Sequence, residues 1–236
     1  MATIQTVSST VSTNAELIAL AATGVPEGFW LRAETQSGGR GRMGRTWESP
    51  PGNLYASTLV RLQPHDPTAA TLALVTAVAL AEVIGGFLGP IRPMIKWPND
   101  ILIEGAKVSG ILLERSGDAV VIGMGVNLHS HPVDLGRPAT CLASHGIAAP
   151  DPGYFLEEVA TAFARWLGRW RGEGIQVVRS AWTEYAHPAG AALSLTFPDG
   201  TSLDGLFDGL DNDGALRLRL ADDAVRVIHA ADVFLI

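Results

Sequence analysis

Hydrophobic patterning changes character towards the end of the chain. Up to about residue 187, short apolar runs typical of strands alternate with longer segments in which apolar residues recur at helical spacing. Beyond His187-Pro188 only short alternating runs remain, and turn signals such as Pro198-Asp-Gly200 and Asp211-Asn-Asp-Gly214 separate them. The change predicts an α+β domain over residues 1–187 and a small β-barrel over residues 188–236.

Four helices are predicted in the first part of the chain. They cover residues 15–22, 68–88, 154–170 and 175–185. A Thr13-Asn-Ala-Glu16 capping box opens the first helix. The second is long and apolar enough to span a membrane. It is rich in alanine and Glu82 interrupts it, so the pattern favours a buried core helix.

Strands are predicted in both parts of the chain. They cover residues 29–34, 54–60, 93–97, 101–104, 107–114 and 119–128, and then 193–197, 202–207, 215–220, 225–229 and 233–236. The run at residues 119–128 carries Gly123 and Gly125. Glycines inside a strand usually mark a bulge or a close backbone approach.

Positive charge is concentrated in one stretch. Residues 36–47, Gln-Ser-Gly-Gly-Arg-Gly-Arg-Met-Gly-Arg-Thr-Trp, hold four glycines and three arginines in a chain of net charge −7. Glycine lets the backbone approach a ligand closely, and guanidinium forks match phosphate and carboxylate oxygens. We interpret the stretch as an anion-binding loop, because a merely solvated basic loop is disfavoured in an acidic chain.

Overall charge, cysteine content and the N-terminal residues indicate the partners and the cellular location of the protein. A net charge of −7 argues against nucleic acid as a partner. The single cysteine, Cys141, permits no intramolecular disulfide. The N-terminal residues have neither the basic nor the apolar region of a signal peptide. We expect a cytoplasmic protein with no membrane partner.

Lysine is scarce, since only Lys96 and Lys107 among the 17 basic residues are lysines. A lysine is a compact point charge where arginine is a planar fork, so both positions are candidates for specific chemistry. Neither lysine follows a glycine, which excludes a Walker loop. Gly39-x-Gly41-x-x-Gly44 is not followed by a helix start, so the dinucleotide fingerprint is rejected. His129, His131, Cys141 and His145 match no zinc-ligand spacing.

Five motifs together resemble those of biotin protein ligases. They are Ser12-Thr-Asn14, Gln36 with Gly39-Arg-Gly-Arg-Met-Gly-Arg-Thr-Trp47, Lys96-Trp-Pro-Asn-Asp100, Lys107-Val-Ser-Gly-Ile111 and Gly123-Met-Gly-Val-Asn-Leu128. The resemblance implies a mixed β-sheet catalytic domain flanked by helices, akin to class II aminoacyl-tRNA synthetases, with a C-terminal SH3-like barrel. It also implies a biotin–[biotin carboxyl carrier protein] ligase that uses ATP and Mg²⁺.

The implied reaction has two steps. The carboxylate of biotin attacks the α-phosphate of ATP to give biotinyl-5′-AMP and pyrophosphate. A lysine of the biotin carboxyl carrier domain of a biotin-dependent carboxylase, such as acetyl-CoA carboxylase, then takes the biotin.

The resemblance also implies roles for individual residues. The catalytic residues are Lys107, Arg42 and Arg40. The biotin-binding residues are Ser12, Thr13, Asn14, Gln36, Arg40, Gly41, Arg42, Trp47, Lys107 and Gly110. The residues for ATP and the adenylate are Arg40, Arg42, Gly44, Arg45, Asn127 and Lys107. Lys96, Trp97, Asn99 and Asp100 have no fixed role. Asp100 either lies near Mg²⁺ or positions the substrate, and no protein metal ligand is assigned.

Two departures and two alternatives qualify the resemblance. Some family members carry an N-terminal DNA-binding domain, but Ser12 comes almost at the start here, so we expect no repressor activity. Met43 stands where some relatives have a basic residue.

One alternative is a lipoate or octanoyl ligase or transferase of the same fold. The other is a non-catalytic biotin- or nucleotide-binding module, against which Lys107 argues. Monomer and homodimer both stay open.

We predict that the loop at residues 39–47 is mobile without ligand and becomes ordered over the adenylate. Trypsin should cut after its arginines in the free protein, and biotin with ATP should slow this cleavage because the enclosed adenylate holds the loop down. Mass spectrometry of the fragments measures the effect, with ATP alone as the control. Equal cleavage with and without both ligands would contradict the prediction.

Overall fold

The structure, a computed structural model, describes residues 2–133, 136 and 138–235. It contains two β-sheets, which follow one another along the chain. The helices are α1 (Thr13–Ala22), α2 (Leu72–Leu88), α3 (Pro152–Glu173) and α4 (Ile175–Tyr185). The strands of the first sheet are β1 (Thr3–Thr10), β2 (Phe29–Gln36), β3 (Leu54–Arg61), β4 (Met94–Lys96), β5 (Asp100–Ile103), β6 (Ala106–Ser116) and β7 (Ala119–Val126).

The first sheet is mixed, in the order β1-β2-β3-β7-β6-β5-β4. Only the β1–β2 pair is parallel, and the remaining neighbours are antiparallel. Strand β3 is buried along nearly its whole length, as expected of a central strand covered on both faces. The long β6–β7 pair at the centre of the sheet supplies a rigid floor on which side chains can be positioned.

Helices cover both faces of this sheet. On one face α1 buries Leu17 and Ala21 against Leu59 and Val121. On the other face α2, α3 and α4 form the larger core, in which the rings of Trp30 and Phe163 meet edge to face at 5.7 Å between centroids. The predicted α+β arrangement with a mixed, helix-flanked sheet is therefore confirmed.

One helical segment, Ala69–Leu88, is long and apolar enough to cross a membrane, and 67% of its most apolar window is buried inside the protein. Its side chains pack against the sheet and against α3 and α4. Such packing is what the prediction of a buried core helix requires.

The second sheet is antiparallel and has the order β11-β10-β9-β8-β12. Its strands are β8 (Ala192–Thr196), β9 (Ser202–Leu210), β10 (Leu216–Arg219), β11 (Val225–Ile228) and β12 (Asp232–Leu235). Within the described residues no pairing joins β11 to β12, so the sheet is open where a closed barrel was expected. Ile236, the end of the last predicted strand, lies outside the described residues.

Two local predictions need correction. Strand β1 was not predicted, because its residues are mostly polar and exposed, as befits an edge strand. The N-cap of α1 is Ser12 and not Thr13: its hydroxyl oxygen accepts the Ala15 N–H at 3.4 Å. Glu16 therefore does not close a capping box, and its carboxylate accepts from Thr10 Oγ1 at 2.6 Å.

An ion-pair network ties the end of α3 to the sheet. Arg171 donates to the Glu27 carboxylate at 2.6 Å, to Asp66 at 3.1 Å and to the Arg61 carbonyl at 2.9 Å. Burial raises the pKa of Glu27, but the hydrogen bond from Arg171 and the contacts with Arg61 outweigh it, so the pKa is lowered. Side chains of Arg171 and Asp66 are only 20% and 5% exposed, so removing one partner leaves a poorly solvated charge.

We predict that Arg171→Met lowers the free energy of unfolding by about 2 kcal/mol at pH 7, less than for a fully buried pair because water still reaches the network. Since the folded pKa of Glu27 lies below its ordinary 4.5, the stabilisation is present above that pH and is lost as pH falls through the folded value. The difference between wild type and variant should therefore shrink below pH 4.5 in urea titrations. The control is Arg169→Met, which removes an exposed i,i+4 pair with Glu173 and should change little. An equal loss in both variants would contradict the prediction.

Candidate active site

A cleft lies between the two sheets, with about 910 Å³ of empty space when its opening to solvent is included. Its walls come from the start of α1, the end of β2, the loop that follows, the β6–β7 floor and strand β12. The lining residues are Ser12, Thr13, Asn14, Gln36, Arg40, Gly41, Arg42, Arg45, Thr46, Trp47, Lys96, Trp97, Pro98, Asn99, Asp100, Lys107, Gly110, Ile111, Leu112, Gly123, Met124, Gly125, Asp232, Val233 and Phe234.

Neutral polar side chains form a connected network at one end of the cleft. Gln36 Oε1 accepts from the backbone N–H of Thr13 at 2.8 Å and from its hydroxyl at 3.2 Å. Ser57 Oγ lies 2.7 Å from Thr13 Oγ1 and 2.6 Å from Asn14 Oδ1, while Asn14 Nδ2 donates to Glu114 at 2.7 Å. Because each group orients the next, this end of the cleft presents fixed donors and acceptors.

The floor beneath the cleft is made of glycine. Gly110 on β6 pairs directly with Gly125 on β7. A Cβ on Gly125 would lie 2.4 Å from Cε2 of Trp47, and a Cβ on Gly110 would lie 3.0 Å from the same ring and 3.1 Å from Lys107 Nζ. The indole ring of Trp47 therefore rests on the bare backbone. Trp47 and Lys107 thus occupy the space that a side chain at position 110 would need.

The loop at residues 39–47, called the Arg-Gly loop from here on, is a tight hairpin. Gly41 N–H donates to the Arg45 carbonyl at 2.7 Å, and Trp47 N–H donates to the Gly39 carbonyl at 2.9 Å. At its tip Met43 has φ 56, a conformation rare outside glycine, and its side chain is exposed. A Cβ on Gly39 would lie 2.5 Å from the Trp47 carbonyl oxygen, so only glycine permits the close crossing.

Five cationic side chains line the cleft, Arg40, Arg42, Arg45, Lys96 and Lys107, against two carboxylates, Asp100 and Asp232. Lys107 Nζ lies 2.5 Å from Asp100 Oδ1 and 5.4 Å from the centroid of the Trp47 ring. Arg42 donates to Asn99 Oδ1 at 3.4 Å, and Arg45 forms an ion pair with Asp232. The cleft carries a net positive charge within a chain of net charge −7.

Burial lowers the pKa of the Arg42 guanidinium, and Arg45 adds to this, while Asp232 and Asp100 oppose it. Arginine nonetheless stays charged at every pH at which proteins fold. Burial therefore leaves the Arg42 charge short of water, a condition that favours an anionic partner.

A smaller cavity adjoins the main cleft behind Trp47. It is lined by Thr46, Trp47, Glu48, Lys107, Asn127, Pro132, Pro138 and Ala139. Asn127 is held there by its Nδ2 donating to the Thr140 carbonyl at 3.0 Å and by its backbone N–H donating to the Val108 carbonyl at 2.8 Å. The two cavities share Thr46, Trp47 and Lys107, so one elongated ligand could occupy both.

Comparison with known proteins gives the family of the chain. The biotin/lipoate A/B protein ligase family matches residues 6–127, and the biotin protein ligase C-terminal domain matches residues 194–236. A biotin–[acetyl-CoA-carboxylase] ligase of Paracoccus denitrificans is 41% identical over 95% of this chain and 97% of its own length. The chain belongs to the biotin protein ligases.

Two further relatives agree with this family. A biotin–[acetyl-CoA-carboxylase] ligase of Mycobacterium tuberculosis is 31% identical over 98% of this chain and 88% of its own length. Among solved structures, the biotin protein ligase of Aquifex aeolicus in complex with biotin and ATP superimposes with a TM-score of 0.86 at 25% identity, covering 100% of this chain and 99% of that one.

Nearly all residues that the biotin protein ligase motifs single out meet in the main cleft. Two do not line it: Asn127 faces the adjoining cavity, and Gly44 lies exposed at the tip of the hairpin with φ 71. The roles assigned to individual side chains stay predictions. The four residues to which the resemblance gives no fixed role also line the cleft: Lys96, Trp97, Asn99 and Asp100.

Sequence reasoning missed two groups of residues. Ser57 lies on a strand whose sequence is typical of the core, and the adjacent hydroxyls of Ser57 and Thr58 were the only polar signal in its centre. Asp232, Val233 and Phe234 come from the C-terminal sheet and form one wall of the cleft. Nothing in their local pattern distinguishes them from any short strand.

The histidine and cysteine cluster forms no metal centre in the described part of the chain, where no group of three or more His, Cys, Asp or Glu side chains is placed to hold an ion. Cys141 Sγ donates to the His129 carbonyl at 3.3 Å, and His145 Nε2 lies 2.9 Å from Thr140 Oγ1. These contacts hold the segment that carries Thr140 against Asn127.

Proposed function

We propose that the chain is an ATP-dependent biotin protein ligase, which forms biotinyl-5′-AMP from biotin and ATP and transfers the biotin to a lysine of a biotin carboxyl carrier domain. One observation carries the proposal: a neutral polar network and five cationic side chains line a single cleft. Relatives 41% and 31% identical are both named biotin–[acetyl-CoA-carboxylase] ligase. A substrate that is polar at one end and carries a carboxylate at the other suits this layout.

Charge repulsion is the obstacle to the first step, because both reactants are anions. A carboxylate oxygen of biotin forms a bond to the α-phosphorus of ATP, while the bond from that phosphorus to the pyrophosphate oxygen breaks. Lys107 is proposed to hold the carboxylate and the α-phosphate together, and Arg40, Arg42 and Arg45 to neutralise phosphate oxygens. Each charge-assisted contact contributes about 1.5–3 kcal/mol.

The neutral end of the cleft is proposed to hold the ureido ring of biotin. Thr13, Asn14 and Gln36 offer hydroxyl and amide groups fixed by Ser57, and Ser12 lies beside them. Trp47 would then pack against the apolar valeryl chain, since its ring lines the same cleft and lies 5.4 Å from Lys107 Nζ. Asn127 in the adjoining cavity would contact the adenine.

The residues present do not fit a metal ion held by the protein. Asp100 lines the cleft, and its charge is neutralised by Lys107 at 2.5 Å. A divalent ion there would have to displace the ammonium group. We therefore propose that Mg²⁺ enters with the phosphates of ATP as part of that substrate, and we assign it no protein ligand.

The second step needs little from this chain beyond positioning. The amine of the acceptor lysine attacks the acyl carbon of the mixed anhydride, the bond from that carbon to the phosphate oxygen breaks, AMP leaves, and the amine releases its proton to solvent. The adenylate is already activated, so proximity and exclusion of water supply the remaining catalysis.

The decisive experiment is biotin-dependent exchange of labelled pyrophosphate into ATP. Lys107→Ala is expected to reduce the exchange rate by about 100-fold or more, because it removes the charge stabilised in the transition state. Arg169→Ala is the matched control: it removes one positive charge on the exposed face of α3, where Arg169 pairs with Glu173, and should exchange like wild type. Lipoate replaces biotin in a parallel series.

The outcomes separate the candidate functions. Exchange that requires biotin and ignores lipoate supports the proposal, and exchange with lipoate alone indicates the lipoate branch of the family. Folded wild-type protein that exchanges with neither acid would contradict catalysis and favour a binding module. Equal rates for Lys107→Ala and wild type would remove Lys107 from the mechanism.

A second prediction concerns the glycine floor. Gly125→Ala is expected to raise the KM for biotin by at least about tenfold, since its Cβ, 2.4 Å from the Trp47 ring, would push the indole into the cleft. Gly86→Ala on the exposed face of α2 is the control, because its Cβ meets nothing within 4 Å. An unchanged KM in folded Gly125→Ala would show that Trp47 does not contact biotin.

A further inference from the structure

The C-terminal sheet reaches the ligase motifs at two separate points. At the turn between β9 and β10, the indole N–H of Trp97 donates to the Gly214 carbonyl at 3.1 Å. On β12, Asp232 forms an ion pair with Arg45 of the Arg-Gly loop. Trp97 belongs to the Lys96-Trp-Pro-Asn-Asp100 motif, so both contacts join the sheet directly to residues of the cleft wall.

The turn that carries Gly214 is closely packed against Trp97 and α2. Trp97 is only 5% exposed, and Gly214 ends the turn between β9 and β10 with φ +80. A Cβ on Gly214 would lie 2.9 Å from Cδ1 of Leu74 on α2, so the turn packs directly against the helix. Thr68 Oγ1 donates to Asp213 in the same turn at 3.0 Å. The turn is therefore held against α2 by Leu74 and Thr68, and the Trp97 hydrogen bond joins it directly to the cleft wall.

The second contact with the cleft is made by alternate residues of β12. Asp232 and Phe234 lie two residues apart, so they project from the same face of the strand. Asp232 holds Arg45, and the ring of Phe234 lies 5.2 Å from Lys96 Nζ. Strand β12 thus meets two of the five cationic side chains of the cleft, and both it and the Gly214 turn belong to one hydrogen-bonded sheet.

We propose that Trp97 is a positioning residue that acts through the C-terminal sheet: its hydrogen bond to Gly214 sets the sheet so that Asp232 holds Arg45 at the phosphate end of the cleft. This inference rests on the proposed function. It assigns to Trp97 an effect on ATP that does not require contact between its ring and the nucleotide. Loss of the bond removes the direct link between the C-terminal sheet and the Lys96-Trp-Pro-Asn-Asp100 motif, so that Asp232 holds Arg45 less firmly.

The test uses Trp97→Phe in the full chain, with pyrophosphate exchange and the KM for each substrate as readouts. The variant keeps an aromatic ring and loses the N–H donor, so we expect the KM for ATP to rise about fivefold, the usual effect of one lost hydrogen bond. The KM for biotin should stay within twofold of wild type. A structural defect without positioning would change both constants or neither.

Trp182→Phe is the matched control. Trp182 is 1% exposed, and its ring lies 6.3 Å from Phe207 on β9, at the same junction between helices and C-terminal sheet. Its indole N–H has no hydrogen-bond partner among the described residues, so the substitution removes the same atoms without removing a bond. Its thermal stability should fall about as far as that of Trp97→Phe, with no change in the KM for ATP.

A double-mutant cycle with Asp232→Asn completes the test. If Trp97 acts through Asp232, the double variant should have a KM for ATP close to that of Asp232→Asn alone, because neighbours in one pathway are not additive. Additive effects, an unchanged KM for ATP in Trp97→Phe, or an equal rise in Trp182→Phe would each overturn the inference. If wild type shows no exchange, the proposed function fails first and is identified as the cause.

Discussion

Five like charges held around one cleft are the constraint that most of this structure serves. At an effective dielectric near 20, two unit charges about 4 Å apart repel by roughly 4 kcal/mol, so such a cluster tends to spread apart. Asp100 and Asp232 neutralise two members of the cluster, and Asn99 binds a third. Backbone hydrogen bonds within the Arg-Gly loop fix the chain segment that carries Arg40, Arg42 and Arg45. With five cations and two carboxylates, the cleft keeps a net positive charge.

Rigidity of the floor makes this arrangement possible. The Gly110–Gly125 pair lets Trp47 rest on the backbone of the central strands, and the ring in turn lies beside Lys107. Lys107 is further fixed by its own backbone, which donates to the Pro138 carbonyl at 3.0 Å and accepts from the Thr140 N–H at 2.9 Å. A flexible lysine stem is therefore confined by packing on one side and by Asp100 on the other. Such confinement is what allows a point charge to act at one position.

The sequence predicted the parts of this protein that are local, and missed those that are not. Hydrophobic periodicity located the helices and nearly all strands, because burial imposes a regular spacing on apolar residues. Strand β1 escaped because its exposed polar residues show no such spacing. The cleft residues were predictable as a set because they lie in short motifs of unusual composition. Asp232 was not, since it is 187 residues from Arg45 and no local pattern records a contact across that distance.

The two contacts that hold the C-terminal sheet differ in strength and in their response to solvent. The Trp97–Gly214 bond is neutral and largely buried, so salt hardly affects it. The Arg45–Asp232 pair is about one-third exposed on each side, so ions and competing anions can weaken it. The C-terminal sheet is therefore held by one contact that ions hardly affect and by one that ions weaken, and this difference follows from burial alone.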